Sequence, residues 1–239
     1  MITYGLSDPE ILKLLDSKKN QGLDVFALCD QRSTPKHPGI TRIKKPGLNH
    51  AKIAVVDDHL SLFGSANLTT TSLELHHNCV MGIESESVAT FFKSSITNQT
   101  NGALSWQNLQ LWMLPDKTAF FALLDLIDQA EKSIKVAMFT LSHPELIEAL
   151  EKAQQRGVTV NLYLDRYTRQ PHTKLSINHT KGPGLLHHKW ALVDDRHLAM
   201  GSANWTKAAF TKNREVLVII RNLPPAQVRV CQKLWNDLS

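Results

Sequence analysis

The chain has 239 residues, 42% hydrophobic and 21% charged, with a formal net charge of +5, which is the composition of an ordinary globular protein with a mild basic bias. That bias suits a phosphate-bearing substrate or an anionic membrane surface. The three cysteines have no Cys-x-x-Cys spacing, which argues against a disulfide framework and a zinc site, and no apolar run approaches the roughly 20 residues of a membrane-spanning helix. No secretory signal is visible at the start, so the sequence leaves the cellular location open.

The predicted elements alternate between helices and short apolar strands. The first part of the chain predicts a helix at 10–19, strands at 25–29, 52–56, 60–63 and 79–83, and a helix at 88–96. The second part predicts a helix at 116–132, a strand at 134–139, a helix at 144–156, strands at 158–164, 189–193, 198–200 and 216–220, and a helix at 226–238. This alternation is typical of an α/β layered fold.

Two polar motifs repeat at a separation of 137 residues. The first copy consists of His50, Lys52 and Asp57 followed by Gly64-Ser65-Ala66-Asn67. The second copy consists of His187, Lys189 and Asp194 followed by Gly201-Ser202-Ala203-Asn204. Core packing preserves apolar periodicity but has no need to reproduce polar residues at fixed offsets. The duplicated motif therefore predicts one active site built from two halves.

The repeat also predicts the domain organisation. Its period is that of a half-domain, so we expect two pseudo-twofold-related units, at 1–96 and 112–239, joined by a linker at 97–111 and packed as one bilobal domain. Such a pseudo-dimer within one chain predicts a monomer. The second unit opens with a helix and a strand where the first has only residues 1–5. We therefore expect the chain to begin inside a domain, leaving an apolar sheet face open and any targeting signal lost.

The duplicated residue types suit the cleavage of a phosphodiester. Such a reaction needs a nucleophile, a proton donor for the leaving oxygen, and cations or hydrogen-bond donors around the phosphoryl oxygens. Two imidazoles can divide the first two roles near neutral pH, while lysines supply positive charge and asparagine amides add oriented hydrogen bonds. On each strand His and Lys are two residues apart, so they project from the same face and can reach one phosphate.

These motifs resemble the signature of the phospholipase D superfamily, His-x-Lys-x4-Asp followed by Gly-Ser-x-Asn. The resemblance implies a two-step displacement through a phosphohistidine, with no metal or other cofactor. We assign His50 as the nucleophile and His187 as the acid/base, although the sequence symmetry permits the opposite choice. Further residues are expected to hold the phosphate oxygens: Lys52, Lys189, Asn67 and Asn204, with Ser65 and Ser202 grouped beside them.

The two copies differ just after the motif. The second copy has Asn213 and Glu215 where the family usually has Asn-x-Glu, so Glu215 is expected to support the site. The first copy has His76 and Asn78 at those positions, which puts a glutamate role in that half in doubt. Asp57 and Asp194 belong to the catalytic motif, and we expect them to orient a neighbouring group rather than touch the substrate.

The substrate remains open between three hypotheses. The first is a lipid enzyme, either a phospholipase D-type hydrolase or a phosphatidyltransferase of the cardiolipin synthase kind, with a phospholipid substrate and peripheral membrane contact. Two motifs in one chain are typical of that branch. The second is a metal-independent endonuclease acting on nucleic acid, because the segment 205–215 looks similar to the small bacterial endonucleases of the superfamily. The third is a decayed, inactive paralogue.

Overall fold

The computed structural model describes residues 1–239 and contains two β-sheets with helices packed against them. The first half comprises nine elements: β1 (Ile2–Thr3), α1 (Pro9–Asn20), β2 (Leu28–Asp30), β3 (Thr41–Ile43), β4 (Ile53–Val56), β5 (Leu60–Gly64), α2 (Thr70–Glu74), β6 (Val80–Glu84) and α3 (Glu86–Asn98). None of the helices in the chain is both long enough and apolar enough to cross a bilayer.

The second half is longer and begins with a hairpin. Its elements are β7 (Gly102–Trp106), β8 (Leu109–Leu114), α4 (Lys117–Asp128), β9 (Ser133–Met138), α5 (Pro144–Gln155), β10 (Thr159–Leu164), β11 (Ile177–Asn178), β12 (Lys189–Val193), β13 (His197–Gly201), α6 (Lys207–Thr211), β14 (Glu215–Ile220) and α7 (Pro225–Asn236). Both α1 and α5 begin at a proline, which the first helical turn tolerates because its N–H has no partner within the helix.

The two sheets have the same topology. Their strand orders are β3-β2-β1-β4-β5-β6 and β11-β10-β9-β12-β13-β14, with β8 and β7 added at the edge of the second sheet. In each, the first three strands of that order are parallel and the remaining pairs are antiparallel. The predicted α/β fold with two duplicated units is therefore confirmed.

The inner faces of the two sheets share one hydrophobic core. A cluster of 24 buried residues draws Ile53 and Phe63 from the first sheet and Trp190 and Met200 from the second, together with side chains of α3 and α7. A shared core of this kind fixes the two halves relative to each other. The strand ends that carry the polar motifs therefore meet at a defined geometry.

The outer faces of the two sheets differ. The outer face of the second sheet contributes to a cluster of 29 buried residues beneath α4 and α5. On the equivalent face of the first sheet, α1 packs against Ala27 and Cys29, but no helix takes the place of α4. Val56 is therefore 44% exposed whereas its counterpart Val193 is 1% exposed. Val80 is likewise 55% exposed and its counterpart Leu217 is 2% exposed. The first half therefore presents an apolar sheet face to solvent.

Two elements differ from those predicted. The segment 97–111, predicted as a linker, contains the end of α3, all of β7 and the beginning of β8, and this hairpin pairs with β14. Every second residue from Gly102 to Trp106 is partly buried, a strand pattern that the polar stretch before it obscured. The strand predicted at 25–29 begins only at Leu28, where pairing with β1 begins.

Candidate active site

The two motif histidines lie immediately before equivalent strands. His50 precedes β4 and His187 precedes β12, and both imidazoles are buried. Each motif lysine is also buried and bends back on its own motif: Lys52 Nζ donates to the His50 carbonyl at 2.5 Å and Lys189 Nζ donates to the His187 carbonyl at 2.8 Å. Each His-x-Lys pair therefore forms one compact cationic unit at a strand end.

Each histidine is held by a residue of the opposite half. His50 Nδ1 lies 2.8 and 2.9 Å from the two carboxylate oxygens of Glu215, which begins β14. His187 Nδ1 lies 2.9 Å from Oδ1 of Asn78, just before β6. The supporting contacts cross between the halves in both directions, so neither half holds its own histidine alone.

Backbone contacts reinforce this exchange. His50 N donates to the carbonyl of Arg214 at 2.8 Å, and His77 N donates to the carbonyl of Leu185 at 2.9 Å. A Cβ atom at Gly47 would collide with the Lys212 carbonyl, and one at Gly184 would collide with the Leu75 carbonyl. Glycine is therefore required where the loop before each histidine meets the other half. The close approach places both motifs in one site.

An aromatic ring packs beside each His-x-Lys pair. The Tyr4 ring lies 5.2 Å from the His50 ring and 5.5 Å from Lys52 Nζ. The Phe139 ring lies 5.1 Å from both the His187 ring and Lys189 Nζ. These rings limit the motion of the imidazoles, and their π faces attract the ammonium groups.

Burial and mutual repulsion disfavour the charged forms of the two lysines and of His187. Burial lowers the pKa of Lys52 to about 7 despite attraction by Glu215 and Asp30, and burial together with Lys52 lowers the pKa of Lys189 well below its usual value. Burial also lowers the pKa of His187, and Lys189 and Lys52 lower it further. An anionic phosphodiester placed among these groups would favour their charged forms. The site is thus arranged to bind a negative charge.

Glu215 gives His50 a different environment. Burial alone would raise the pKa of Glu215, but the charge of His50 and the hydrogen bond to it lower the pKa overall. The pKa of His50 is lowered by burial and partly restored by Glu215. An ionised Glu215 holds the proton on Nδ1 of His50 and leaves the Nε2 lone pair free for attack.

The motif asparagines have free hydrogen-bonding capacity. Oδ1 of Asn67 and Oδ1 of Asn204 are both buried without a hydrogen-bond partner. The two amides lie at equivalent places after β5 and β13 and are partly exposed. An Oδ1 atom can only accept a hydrogen bond, so a phosphate oxygen would have to be met by the Nδ2 donor of the same amide. Their placement is compatible with the predicted role in holding phosphate oxygens.

Ser65 and Ser202, predicted as phosphate-binding residues, lie behind the site. Ser202 Oγ donates to Glu215 at 2.6 Å, and Ser65 Oγ donates to Asn78 Oδ1 at 2.8 Å. Both serines are fully buried because they end strands that the next strand covers. The prediction is corrected: the serines position Glu215 and Asn78, which in turn position the histidines.

Asp57 and Asp194, predicted among the catalytic residues, lie away from the histidines. Asp194 follows β12, five residues beyond Lys189, which is about 17 Å along a strand. Its carboxylate accepts the backbone N–H groups of residues 131–133 at 2.7–3.0 Å. Asp57 lies exposed at the equivalent turn after β4. Asp194 therefore orients a neighbouring turn, as expected from the sequence, and the structure does not bring either aspartate to the histidines of its motif.

Several residues that support the site were missed in the sequence. Asp30 Oδ2 accepts the N–H of Asn49 at 2.8 Å, and Asp165 Oδ2 accepts the N–H of Leu186 at 2.9 Å. Both carboxylates are buried and anchor the residue before a motif histidine. The sequence contains a signal for them, because the predicted strands at 25–29 and 158–164 are each followed directly by an aspartate. No three His, Cys, Asp or Glu side chains come together in a way that could hold a metal ion.

Comparison with known proteins places this geometry in a family. The profile described as "Cardiolipin synthase, PLD-like domain" matches residues 1–99 and 123–238, which is most of the chain. The chain belongs to this family. The resemblance to the phospholipase D superfamily is thereby confirmed, and each matched segment contains one copy of the motif.

Individual relatives agree with this membership. The chain is 32% identical to the mitochondrial cardiolipin hydrolase of Homo sapiens over 149 residues, which covers 55% of this chain and 59% of that protein. The chain thus spans about three fifths of that relative's length. Among solved structures, it is similar to Nuc, a phospholipase D family member from Salmonella typhimurium, with 28% identity and a TM-score of 0.51 over 54% of this chain and 92% of that one.

A second solved structure resembles the whole two-sheet arrangement. The phosphatidylserine synthase of Haemophilus influenzae has a TM-score of 0.77, with 16% identity over 99% of this chain and 79% of that one. At this identity the similarity concerns the fold alone. It shows that the shared fold extends over nearly the whole of this chain.

Proposed function

We propose that this protein is a phosphodiesterase of the phospholipase D type that cleaves or transfers a phosphatidyl group through a phosphohistidine. The observation that carries the proposal is the reciprocal support of His50 by Glu215 and of His187 by Asn78, each from the opposite half. Two oriented imidazoles and two buried lysines in one site provide the nucleophile, the proton donor and the charge that cleavage requires.

In the first step, Nε2 of His50 forms a bond to phosphorus while the bond from phosphorus to the leaving oxygen breaks. The leaving oxygen takes the proton of His187 Nε2. In the second step, the oxygen of water or of a second alcohol attacks phosphorus, its proton passes to His187, and the electron pair of the N–P bond returns to His50. Water gives hydrolysis and an alcohol gives transfer, and both histidines regain their starting protonation.

Lys52, Lys189, Asn67 and Asn204 surround the phosphoryl group in this mechanism. The lysines are held by the carbonyls of the two histidines, so the positions of their Nζ atoms are fixed before the substrate arrives. The Nδ2 groups of the two amides supply further hydrogen bonds. Groups that need no rearrangement during the reaction stabilise developing charge most effectively.

A phospholipid is the first candidate substrate. The family description names cardiolipin synthase, and the human relative is named a cardiolipin hydrolase. The charge of this chain fits an anionic lipid surface. Nine Lys or Arg and no Asp or Glu lie in the two loop segments that lead into the histidines, 31–49 and 166–186. Clustered basic residues attract the negative surface of such a membrane.

The same loops support nucleic acid as a second candidate substrate. Nine basic residues beside a phosphodiester-cleaving site could equally neutralise the phosphates of a nucleic-acid strand. The likeness to Nuc at 28% identity is compatible with either substrate class. The loops therefore indicate an anionic phosphodiester but do not choose between lipid and polymer.

Direct assays separate the two classes. Purified protein is incubated with vesicles containing labelled phosphatidylcholine or cardiolipin and, separately, with labelled single-stranded DNA, each with and without EDTA. The proposal expects lipid turnover that EDTA leaves unchanged. DNA cleavage without lipid turnover would move the function to the nuclease alternative, and loss of activity on chelation would contradict the phosphohistidine route.

Substitution of the histidines tests the site itself. His50→Ala and His187→Ala should each lower kcat by about a thousandfold or more, because each removes a group that reacts in the mechanism. His59→Ala is the matched control, since His59 is exposed in the turn after β4 and lies outside the site. Activity that survives either of the first two substitutions would place the chemistry elsewhere.

A further inference from the structure

The two histidines of the site rest on chemically different supports. Glu215 and Asn78 are separated by the 137-residue repeat offset, so they occupy equivalent positions in the two halves. The carboxylate of Glu215 contacts His50 Nδ1 with both oxygens, at 2.8 and 2.9 Å. The amide of Asn78 contacts His187 Nδ1 with one oxygen, at 2.9 Å. The duplicated site therefore has a carboxylate beside His50 and a neutral amide beside His187.

The surroundings of Asn78 fix the direction of its amide. Its Nδ2 donates to the carbonyl of Ser72 at 2.8 Å, and its Oδ1 accepts from Ser65 Oγ at 2.8 Å. Oδ1 is therefore the atom that faces His187, and only a hydrogen on Nδ1 can complete that contact. The Nε2 atom of His187 is left for proton transfer.

The titratable groups that act on His187 are basic side chains rather than carboxylates. Burial lowers the pKa of His187, and so do Lys189, Lys52, His50 and His76, which approach it from both halves. The uncharged ring of Phe139 packs against it at 5.1 Å. A carboxylate in place of the Asn78 amide would stabilise the imidazolium and make it a weaker acid. The amide orients the ring without this effect.

We propose that Asn78 is a positioning residue that keeps His187 as the proton-transfer histidine, while Glu215 commits His50 to attack at phosphorus. The inference rests on the proposed function and deepens it. When His50 Nε2 bonds to phosphorus, its ring becomes positively charged beside the Glu215 carboxylate. His187 meanwhile gives its proton to the leaving oxygen and becomes neutral beside an amide. The carboxylate thus lies beside the histidine that becomes positively charged in the first step, and the neutral amide lies beside the histidine that becomes neutral.

The test exchanges the two kinds of support. Asn78→Asp introduces a carboxylate of nearly the same size, Asn78→Glu copies the residue of the second half, and Glu215→Gln makes the reciprocal change. Each variant is assayed on an alkyl phosphodiester, whose leaving group needs a proton, and on a p-nitrophenyl phosphodiester, whose leaving group does not.

Asn78→Asp should slow the alkyl substrate about tenfold or more, change the release of p-nitrophenol little, and move the basic limb of the pH profile up by at least about one pH unit. Glu215→Gln should slow both substrates, because attack by His50 is affected whatever the leaving group. Equal effects of the two variants on both substrates, or an unchanged pH profile in Asn78→Asp, would overturn the inference.

A second readout does not depend on turnover. Titration of isotope-labelled histidines by NMR should show the pKa of His187 raised in Asn78→Asp and Asn78→Glu relative to the wild type. An unchanged His187 titration in folded variants would also overturn the inference. If the wild type cleaves neither substrate, the proposed function fails, and the titration still decides whether Asn78 controls the charge of His187.

Discussion

The two halves of this molecule share one topology and one polar motif, but the outer faces of their sheets are buried to different degrees. The second half covers the outer face of its sheet with α4 and α5 and holds a core cluster of 29 residues there, whereas the equivalent face of the first half leaves Val56 and Val80 exposed. The active site, in contrast, takes equivalent residues from both halves. Stability and chemistry are therefore distributed differently over the same duplicated fold.

The comparison also shows where the symmetry of the site ends. The histidines and lysines match between the halves, and each serine supports the residue that orients a histidine. The orienting residues themselves differ, as Glu215 and Asn78, and so do the packed rings, as Tyr4 and Phe139. In the proposed mechanism, such a site would hold phosphate with matched residues and still assign different roles to its two imidazoles.

Among the matched residue pairs other than the histidines, substitution of the motif lysines is expected to have the largest effect on activity. Lys52→Met and Lys189→Met should each lower kcat/KM by about a hundredfold to a thousandfold, because each removes one fixed charge from the phosphate site. The two variants should be affected to the same degree. Steady-state kinetics on a phosphodiester substrate checks this, and a large difference between them would show that only one half holds the phosphate.

The stability of Lys52→Met should change in the opposite direction to its activity. The pKa of Lys52 is lowered to about 7 in the folded state from 10.5, so folding loses free energy to this group at low pH and recovers it as pH rises from about 7 to 10.5. At pH 6 the variant should gain about 1–4 kcal/mol in free energy of unfolding, and the gain should shrink toward pH 10. Urea unfolding at both pH values measures it, and a gain that grows with pH would contradict the assigned burial.

A matched pair of substitutions on the outer faces tests the difference in packing. Leu217→Gln should lower the free energy of unfolding by about 3 kcal/mol, because it places an amide in a fully packed core. Val80→Gln, at the equivalent position of the first half, should change it by less than about 0.5 kcal/mol. Thermal or urea unfolding measures both. Equal destabilisation would mean that the first sheet face is covered in solution.

The smallest effect is expected at the motif aspartates. Asp194→Asn should lower the free energy of unfolding by about 1 kcal/mol, because its carboxylate accepts three backbone N–H groups, whereas Asp57→Asn at the exposed counterpart should have little effect. Neither change should alter kcat. A fall in kcat in both variants would return these residues to the catalytic set.

The pH dependence of Asp194 supports the same comparison. Burial opposes ionisation of its carboxylate, but the three backbone hydrogen bonds outweigh burial and lower its pKa. Its contribution to stability is therefore present above its unfolded pKa and is lost as pH falls through the lower folded value. The difference in unfolding free energy between the wild type and Asp194→Asn should vanish in strong acid.

The sequence predicts the α/β fold and its two units because the pattern is duplicated, and the reacting groups stay a prediction. The position of His50 before β4 and that of His187 before β12 follow from the repeat and from apolar periodicity, whereas the order of the strands in each sheet comes from the structure. The contacts of Glu215 with His50 and of Asn78 with His187 could not be predicted in this way. Residue spacing does not show that Asn78 lies beside the histidine of the other half. Ser65 and Ser202 were misplaced for a similar reason: the strand that covers them comes later in the chain.

The central claim is that one site joins the two halves and that His50 alone attacks phosphorus. Its most direct test is covalent trapping with a p-nitrophenyl phosphodiester, whose activated leaving group departs without a proton from His187. In His187→Ala, we expect a burst of p-nitrophenol and a phosphorylated peptide containing His50, identified by mass spectrometry; in His50→Ala, we expect neither. A phosphorylated His187 in His50→Ala, or no adduct in either variant, would contradict the account.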